Sequence, residues 1–167
     1  RQEYKKKILF PYIHIYIKTG RHDDKKNLSS YVFLSKKIII RMLHEDLTDK
    51  ILAAACEVRK RLTPGYLESI YEKALIIELT EQGLNVESQV PIQVDYKGIN
   101  IGDFKIDLLV DDKIIVEIKA TNHLQIAHEL QLVNYLTIAH KDVGLLINFG
   151  ADKLEIKRKY RIYTPTK

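Results

Sequence analysis

Two neighbouring segments constrain the fold of this chain more than any others: GDFKIDLLV, which holds Asp107, and IIVEIKA, which holds Glu117 and Lys119. Each alternates in the manner of a half-buried β-strand, and only Asp111-Asp112-Lys113 separates them. The two read as an antiparallel hairpin, and its register decides what it carries. Closing Val110 opposite Ile114 sets Asp107 directly opposite Glu117, with Cβ atoms about 4.5–5.5 Å apart. Like charges that close are destabilising unless something neutralises them, and a divalent cation would do so. Lys119 points to the same face, because strand side chains have period two. A two-residue turn would instead pair Val110 with Lys113 and break the constellation. Hydrophobicity selects the first register. Phe104, Ile106, Leu108 and Val110 then share a face with Ile114, Val116 and Ile118, while Lys105, Asp107, Glu117 and Lys119 take the other. Burial resists a one-residue slip from that arrangement. An Asp, a Glu and a Lys on one patch suit metal-assisted phosphodiester hydrolysis. The plainer alternative is the solvated face of a half-buried hairpin.

Size and composition permit this but do not demand it. With 167 residues, 46% hydrophobic and 29% charged, the chain can bury the core of one ordinary globular domain. Its single Cys, Cys56, excludes an internal disulfide and any multi-Cys zinc or iron–sulfur site. Cys56 lies in an apolar helical stretch and reads as a buried structural thiol, in keeping with a reducing, cytoplasmic setting. No stretch reaches the roughly 18 apolar residues that span a bilayer, so no membrane partner is expected. The net charge of +5 is unevenly spread: residues 1–41 hold 11 Lys/Arg against 3 Asp/Glu, and residues 42–167 hold 16 against 19. Global basicity therefore does not draw an anionic partner to the second part.

Residues 1–41 differ from the rest in kind. They contain no Ala or Met, and Lys, Ile, Tyr, Phe and Asn supply 22 of the 41. The expectation is an extension outside the domain, with Met42 as the true start. The alternatives are a basic arm for nucleic acid or a targeting peptide, since Lys5-Lys6-Lys7 precedes the apolar run ILFPYIHIYI.

From Leu47 to Leu62 apolar residues at 47, 51, 54, 55, 58 and 62 predict a helix, broken by Thr63-Pro64-Gly65. A second helix is predicted from Tyr66 to Gln82, ending at Gly83. Alternation at Val86, Ser88, Val90, Ile92, Val94 and Tyr96 predicts a strand, with Lys97-Gly98 as its turn. Thr121-Asn122 can cap a helix from His123 to His140. Val143 to Phe149 reads as a buried strand, and alternation from Leu154 to Ile162 as a last one. The order α-α-β-β-β-α-β-β implies an α/β (α+β) fold, a mixed sheet flanked by helices. Glu68 near a helix N-terminus is already explained by the macrodipole. His128, Gln131 and Tyr135 form one helical stripe, which is equally a polar edge; with no second His at metal spacing, His128 reads as a surface residue. No phosphate-binding Gly-rich loop is present, so an ATP-driven motor is not supported.

GYLESIYEKAL carries Gly-x-x-Glu-x-x-Tyr as Gly65, Glu68 and Tyr71. With GDFKIDLLV, VEIKA, HELQLVNYL and LLINFGADKLEIKR in that order, the chain from Leu47 to Arg158 closely resembles the GxxExxY protein family, which is placed in the PD-(D/E)xK nuclease superfamily. The resemblance implies a restriction-endonuclease-like core. It also implies a site in which Asp107, Glu117 and Lys119 stand for the superfamily Asp, Glu and Lys, and Glu68 for the acidic residue of the first core helix. Gln131 and Tyr135 match the Gln-x-x-x-Tyr element of RecB-type nucleases. Ile106 stands where a Pro usually precedes the Asp. Arg59 stands where the family often has His, and Thr63 where it often has Gly; an Arg there can contact phosphate. The implied cofactor is Mg²⁺ or Mn²⁺, held by Asp107, Glu117 and the Ile118 carbonyl. The implied partner is nucleic acid, DNA ahead of RNA, with a protein partner for targeting. A catalytically inactive nuclease-fold scaffold is the competing reading, and a phosphoesterase acting on small nucleotides is a third.

If residues 1–41 lie outside the domain, deleting them is expected to leave the melting temperature nearly unchanged. A fall of several degrees, about 1 kcal/mol or more for a domain of this size, would show that they are structural.

Overall fold

The protein is described by a computed structural model covering residues 5–9, 14–18 and 43–161. The chain divides into two units, Arg1–Arg41 and Met42–Lys167. In the first, β1 (Lys5–Leu9) pairs antiparallel with β2 (His14–Lys18), Lys5 opposite Lys18. The other expectations for residues 1–41, and the extension of the last strand to Ile162, fall outside the described residues.

In the second unit the order is α1 (Glu45–Arg61), α2 (Glu68–Glu81), β3 (Val86–Tyr96), β4 (Ile99–Val110), β5 (Ile114–Lys119), α3 (Ile126–Ile138), β6 (Val143–Asn148) and β7 (Glu155–Tyr160). This is the α-α-β-β-β-α-β-β order read from the sequence. The strands form one sheet in the order β3-β4-β5-β6-β7, with β5 and β6 parallel and the other pairs antiparallel. No described helix is long and apolar enough to cross a membrane.

Helix α1 forms where its apolar period predicts. Thr48, Ile51, Ala54, Ala55 and Val58 are buried, and acidic residues in the first turn with basic ones in the last complement the helix dipole. Cys56 corrects an expectation: it is exposed, not buried. One residue past Ala55, it is rotated about 100° off the buried stripe. Helix α2 ends at Glu81 with Gln82 as its C-cap, and the next residue, Gly83, has φ of +76°, the left-handed conformation that commonly closes a helix.

Helix α3 begins three residues later than predicted. Its N-cap is Gln125, not Thr121 or Asn122; the His128 N–H donates to the Gln125 carbonyl at 3.1 Å, and His128 Nδ1 accepts the Gln125 N–H at 3.2 Å. Thr121 is committed elsewhere. Its N–H donates to Asn148 Oδ1 at 2.9 Å and its hydroxyl to the His123 carbonyl at 3.0 Å.

The β4–β5 hairpin closes in the expected register: Val110 lies opposite Ile114, Leu109 opposite Ile115 and Leu108 opposite Val116. The pairing then stops. The predicted sorting of faces fails at the same place. Leu108 and Val110 join Ile114, Val116 and Ile118 in a core with α1 and α2. Ile106 instead packs with Leu109, Ile115, Leu132, Leu136 and Leu146 in a second core under α3, and Phe104 is exposed, its ring 6.0 Å from that of Tyr135. A regular strand cannot send Ile106 and Leu108 to opposite faces. The strand therefore reverses its faces at Asp107. Strand β3 reverses opposite it, at Gln89, which has φ of +54° and no ladder partner. A period-two pattern reads straight through such a break, so the sequence did not reveal it.

All of β6 is buried between β5 and β7. Gly144 within it and Gly150 just after it are required by close approach. A Cβ on Gly150 would lie 2.4 Å from the Ala120 carbonyl carbon and 2.5 Å from the Thr121 nitrogen, whereas one on Gly144 would meet the Leu132 side chain at 2.7 Å. Backbone cannot yield as a side chain can. Gly150→Ala is expected to cost about 2 kcal/mol or more and Gly144→Ala less, measured by thermal melting. A Gly150→Ala protein as stable as wild type would refute the crowding.

Candidate active site

The end of β4–β5 pairing creates the site. Continuing the register would bring Ile106 opposite Ile118, but Ile106 has turned to the other face. The Ile118 N–H donates instead to Asp107 Oδ2 at 2.8 Å. A side-chain carboxylate thus takes the place of a backbone carbonyl in the ladder, and the strands fork around it. Asp107 and Glu117 are not a ladder pair as the sequence led us to expect; the carboxylate of one is tied to the residue after the other. The N–H and C=O of a strand residue point toward the same neighbour, so the Ile118 carbonyl also faces the fork.

On β5, Ile115 faces α3, so alternation puts Glu117 and Lys119 on that side. They form an ion pair, Lys119 Nζ to Glu117 Oε1 at 2.7 Å. Glu117 is only 2% exposed. Burial first, then the Asp107 charge, push its carboxyl up to about 7, although Lys119 opposes both. Its other oxygen, Oε2, is buried and accepts no hydrogen bond. Asp107 is also raised, chiefly by burial; the Ile118 N–H and Lys119 oppose the shift, and Glu72 and Glu68 add to it. Burial pulls Lys119 down, but the Glu117 hydrogen bond and charge, with Glu68 and Asp107, outweigh it and hold the ammonium above the usual lysine value.

Helix α2 brings in Glu68, whose Oε1 accepts the Ala120 N–H at 3.2 Å. The macrodipole alone does not account for a carboxylate that bridges to the residue after Lys119. Glu72, one turn on, accepts from Gln89 Nε2 at 3.0 Å. Glu68, Asp107, Glu117 and Lys119 are therefore brought together, and Glu72 joins them. Glu72 was legible only as a same-face neighbour of Glu68.

Gln131 and Tyr135 pair with each other, Gln131 Nε2 donating to the Tyr135 hydroxyl at 2.7 Å. Among the described residues no hydrogen bond joins either to Asp107, Glu117 or Lys119. The Arg59 guanidinium donates to the carbonyls of Leu62, Ala151 and Asp152 at 3.2, 3.4 and 3.0 Å, so it ties α1 to the turn after β6. Thr63 serves through its carbonyl, which accepts the Tyr71 hydroxyl at 2.7 Å.

Asn148 is the supporting residue that sequence reasoning missed. Fully buried, it accepts from Thr121 and Gly150 N–H through Oδ1 and donates through Nδ2 to the Thr121 carbonyl and Glu155. It fixes the turn that follows Lys119. An amide inside the apolar run Val143–Phe149 was the available signal, since a buried polar group needs its partners.

Asp107, Glu117 and the Ile118 carbonyl offer only oxygen, the donor set that Mg²⁺ prefers. Among the described residues no cluster of three or more His, Cys, Asp or Glu side chains is disposed to cage a metal. Mg²⁺ typically takes one or two carboxylates and keeps several waters, and the unpartnered Glu117 Oε2 fits such a ligand.

A family model described as the PD-(D/E)XK nuclease superfamily matches residues 45–159. No curated protein matches the chain. Among solved structures, the chain is similar to the crystal structure of SSO0001, with 18% identity and a TM-score of 0.50. The match covers 74% of this chain and 62% of that one. At that identity the likeness concerns the fold alone; the family model and the five-stranded mixed sheet with its flanking helices agree with a restriction-endonuclease-like α/β core.

A raised acid makes the folded protein bind a proton that the unfolded chain releases. Stability from this group is therefore lost as pH rises from the ordinary value of 4.5 to about 7. Glu117→Gln, which removes the charge, is expected to stabilise the fold at pH 8 without divalent metal by up to about 3 kcal/mol, read as a higher melting temperature. The gain should shrink toward pH 5. A gain independent of pH would show that Glu117 is not the titrating group.

Proposed function

The chain belongs to the PD-(D/E)XK nuclease superfamily, and on that premise we propose that residues 42–167 are an active, Mg²⁺- or Mn²⁺-dependent nuclease domain of the GxxExxY type. Its substrate is nucleic acid, DNA ahead of RNA, and its cut is hydrolysis of a phosphodiester bond. The observation that carries this reading is the buried Glu117 carboxylate, with one oxygen on Lys119 and the other on nothing. An unpaired buried acceptor costs about 1–3 kcal/mol, a strain that cation binding would relieve.

In this proposal Asp107 and Glu117 hold the cation with the Ile118 carbonyl. When bound, the ion would neutralise phosphate charge and lower the pKa of its water. Lys119 is held cationic by its carboxylate neighbours, so it acts as a charge and not as a base; it stabilises the negative charge that develops on phosphorus oxygens. Glu68, anchored on Ala120, orders a water on the α2 side. Gln131 and Tyr135 stand ready as a hydrogen-bonded pair for the backbone phosphate. A protein partner supplies targeting, since few residues remain for reading a sequence.

The test is cleavage of labelled single- and double-stranded DNA and RNA with Mg²⁺, Mn²⁺ or EDTA, beside calorimetric titration with Mn²⁺. Lys119→Ala is expected to lower the cleavage rate about 10²–10³-fold while Mn²⁺ affinity stays equal or rises, because the lysine competes with the cation for Glu117. Asp107→Ala is expected to lose both. Equal activity in wild type and Lys119→Ala would sink the mechanism. A wild type that binds Mn²⁺ but cleaves no nucleic acid would favour the scaffold reading.

A further inference from the structure

Beside the site, the start of α2 exposes apolar side chains that the fold does not use. Tyr66 is 49% exposed and Leu67, the residue before the helix, is 75% exposed. Tyr66 is nevertheless fixed. Its ring meets that of Tyr71 edge-to-face, with centroids 6.2 Å apart and planes at 78°. Its N–H donates to the Tyr71 hydroxyl at 3.3 Å. Tyr71 is fully buried and stacks on Phe149 at 4.9 Å. Three rings thus run from the core to the surface, and the last presents a face to solvent. A hydrophobic contact between the residue before the N-cap and the fourth helical residue is a common way to fix a helix entry. That accounts for Tyr66 touching Tyr71. It accounts neither for the open part of the ring nor for Leu67.

The place of these residues gives them a use. Glu68 bonds to the amide next to Lys119, and Tyr66 is two residues from Glu68, at most about 7 Å of chain. That is the reach of a nucleotide flanking the one being cut. The electrostatics point the same way. The groups that act on one another at the fork are Glu68, Glu72, Asp107 and Glu117 against Lys119, and residues 42–167 carry 16 Lys/Arg against 19 Asp/Glu. Duplex affinity rests on neutralised phosphates, and the net charge of residues 42–167 does not favour it. A single strand can instead contribute its bases, which stack on aromatic side chains with little regard to sequence.

We propose, resting on the nuclease reading, that the site takes single-stranded nucleic acid, with Tyr66 and Leu67 as the platform for an unpaired base beside the scissile phosphate. Tyr66 and Leu67 are binding residues that do no chemistry.

The test is fluorescence anisotropy with short labelled DNA and RNA, single-stranded and as matched blunt duplexes. It uses the full chain carrying Lys119→Ala with Mg²⁺, and wild type with EDTA. Single strands are expected to bind more tightly than duplexes. Tyr66→Leu, which keeps an apolar contact to Tyr71 but has no aromatic face, is expected to weaken single-strand binding about fivefold or more and to leave duplex binding unchanged. Tyr66→Trp should restore it, with thermal melts confirming that each variant is folded. Duplexes bound as tightly as single strands, an equal loss on both, or no single-strand binding at all would each overturn the proposal. The two readings fail separately: single-strand binding without cleavage would sink the nuclease and keep the platform, and preferential duplex cleavage would do the reverse.

Discussion

One hydrogen bond organises the middle of this molecule: the Ile118 N–H to the Asp107 carboxylate. Strands β4 and β5 pair over only three positions, Leu108 to Val110 against Ile114 to Val116, and then part. Parting would strand a buried backbone N–H, which is costly without a partner. The Asp107 side chain supplies the partner. It lets β4 turn Ile106 into the core under α3 while Leu108 stays in the core under α1 and α2. The fork and the carboxylate at its apex are one feature, so the acid could not be moved along β4 without re-pairing the sheet.

What the fork shelters is electrostatically unfavourable in isolation. Two carboxylates raised by burial act on each other, with one lysine paired to Glu117 and further acids on α2. A chain selected for stability alone would place apolar residues there, because a buried ion pair seldom repays its desolvation. Local rules broken without compensation within the fold are expected at functional sites. The surrounding residues obey those rules. Asn148 satisfies the turn after Lys119, Arg59 satisfies three carbonyls at the end of α1 and after β6, and Tyr71 closes the Thr63–Tyr66 turn. The surrounding frame is polar and largely hydrogen-bonded, and the patch it holds keeps a buried carboxylate oxygen, Glu117 Oε2, without a partner.

The same division explains the Gly-x-x-Glu-x-x-Tyr motif. In Gly65, Glu68 and Tyr71, the Gly has φ of +115°, a conformation that favours glycine, and the Tyr is a buried hydrogen-bonded anchor stacked on Phe149. Only the Glu reaches the fork. Two of the motif's three residues thus serve architecture, and its spacing is set by the helix start that delivers the Glu68 carboxylate to the Ala120 N–H.

Much of this was legible in the sequence. Period 3.6 in α1 and α2, period two in the strands and the three-residue turn at Asp111–Lys113 fixed the element order and the Val110–Ile114 register, because each is a local consequence of burying one face. Asp107, Glu117 and Lys119 stood out for the same reason: charges at regular positions in otherwise apolar strands. Tertiary structure decided the rest. The reversal of β4 at Asp107 depends on which helix covers each face, and alternation carries no information about that. Cys56 is exposed because α1 rotates it off the stripe, and Arg59 is committed because the turn after β6 lies beside α1, ninety residues away in the chain. Local pattern shows which side chains must be buried. Only the assembled layers determine which backbone groups are left without partners, and here that need put a carboxylate into the ladder and opened the sheet around it.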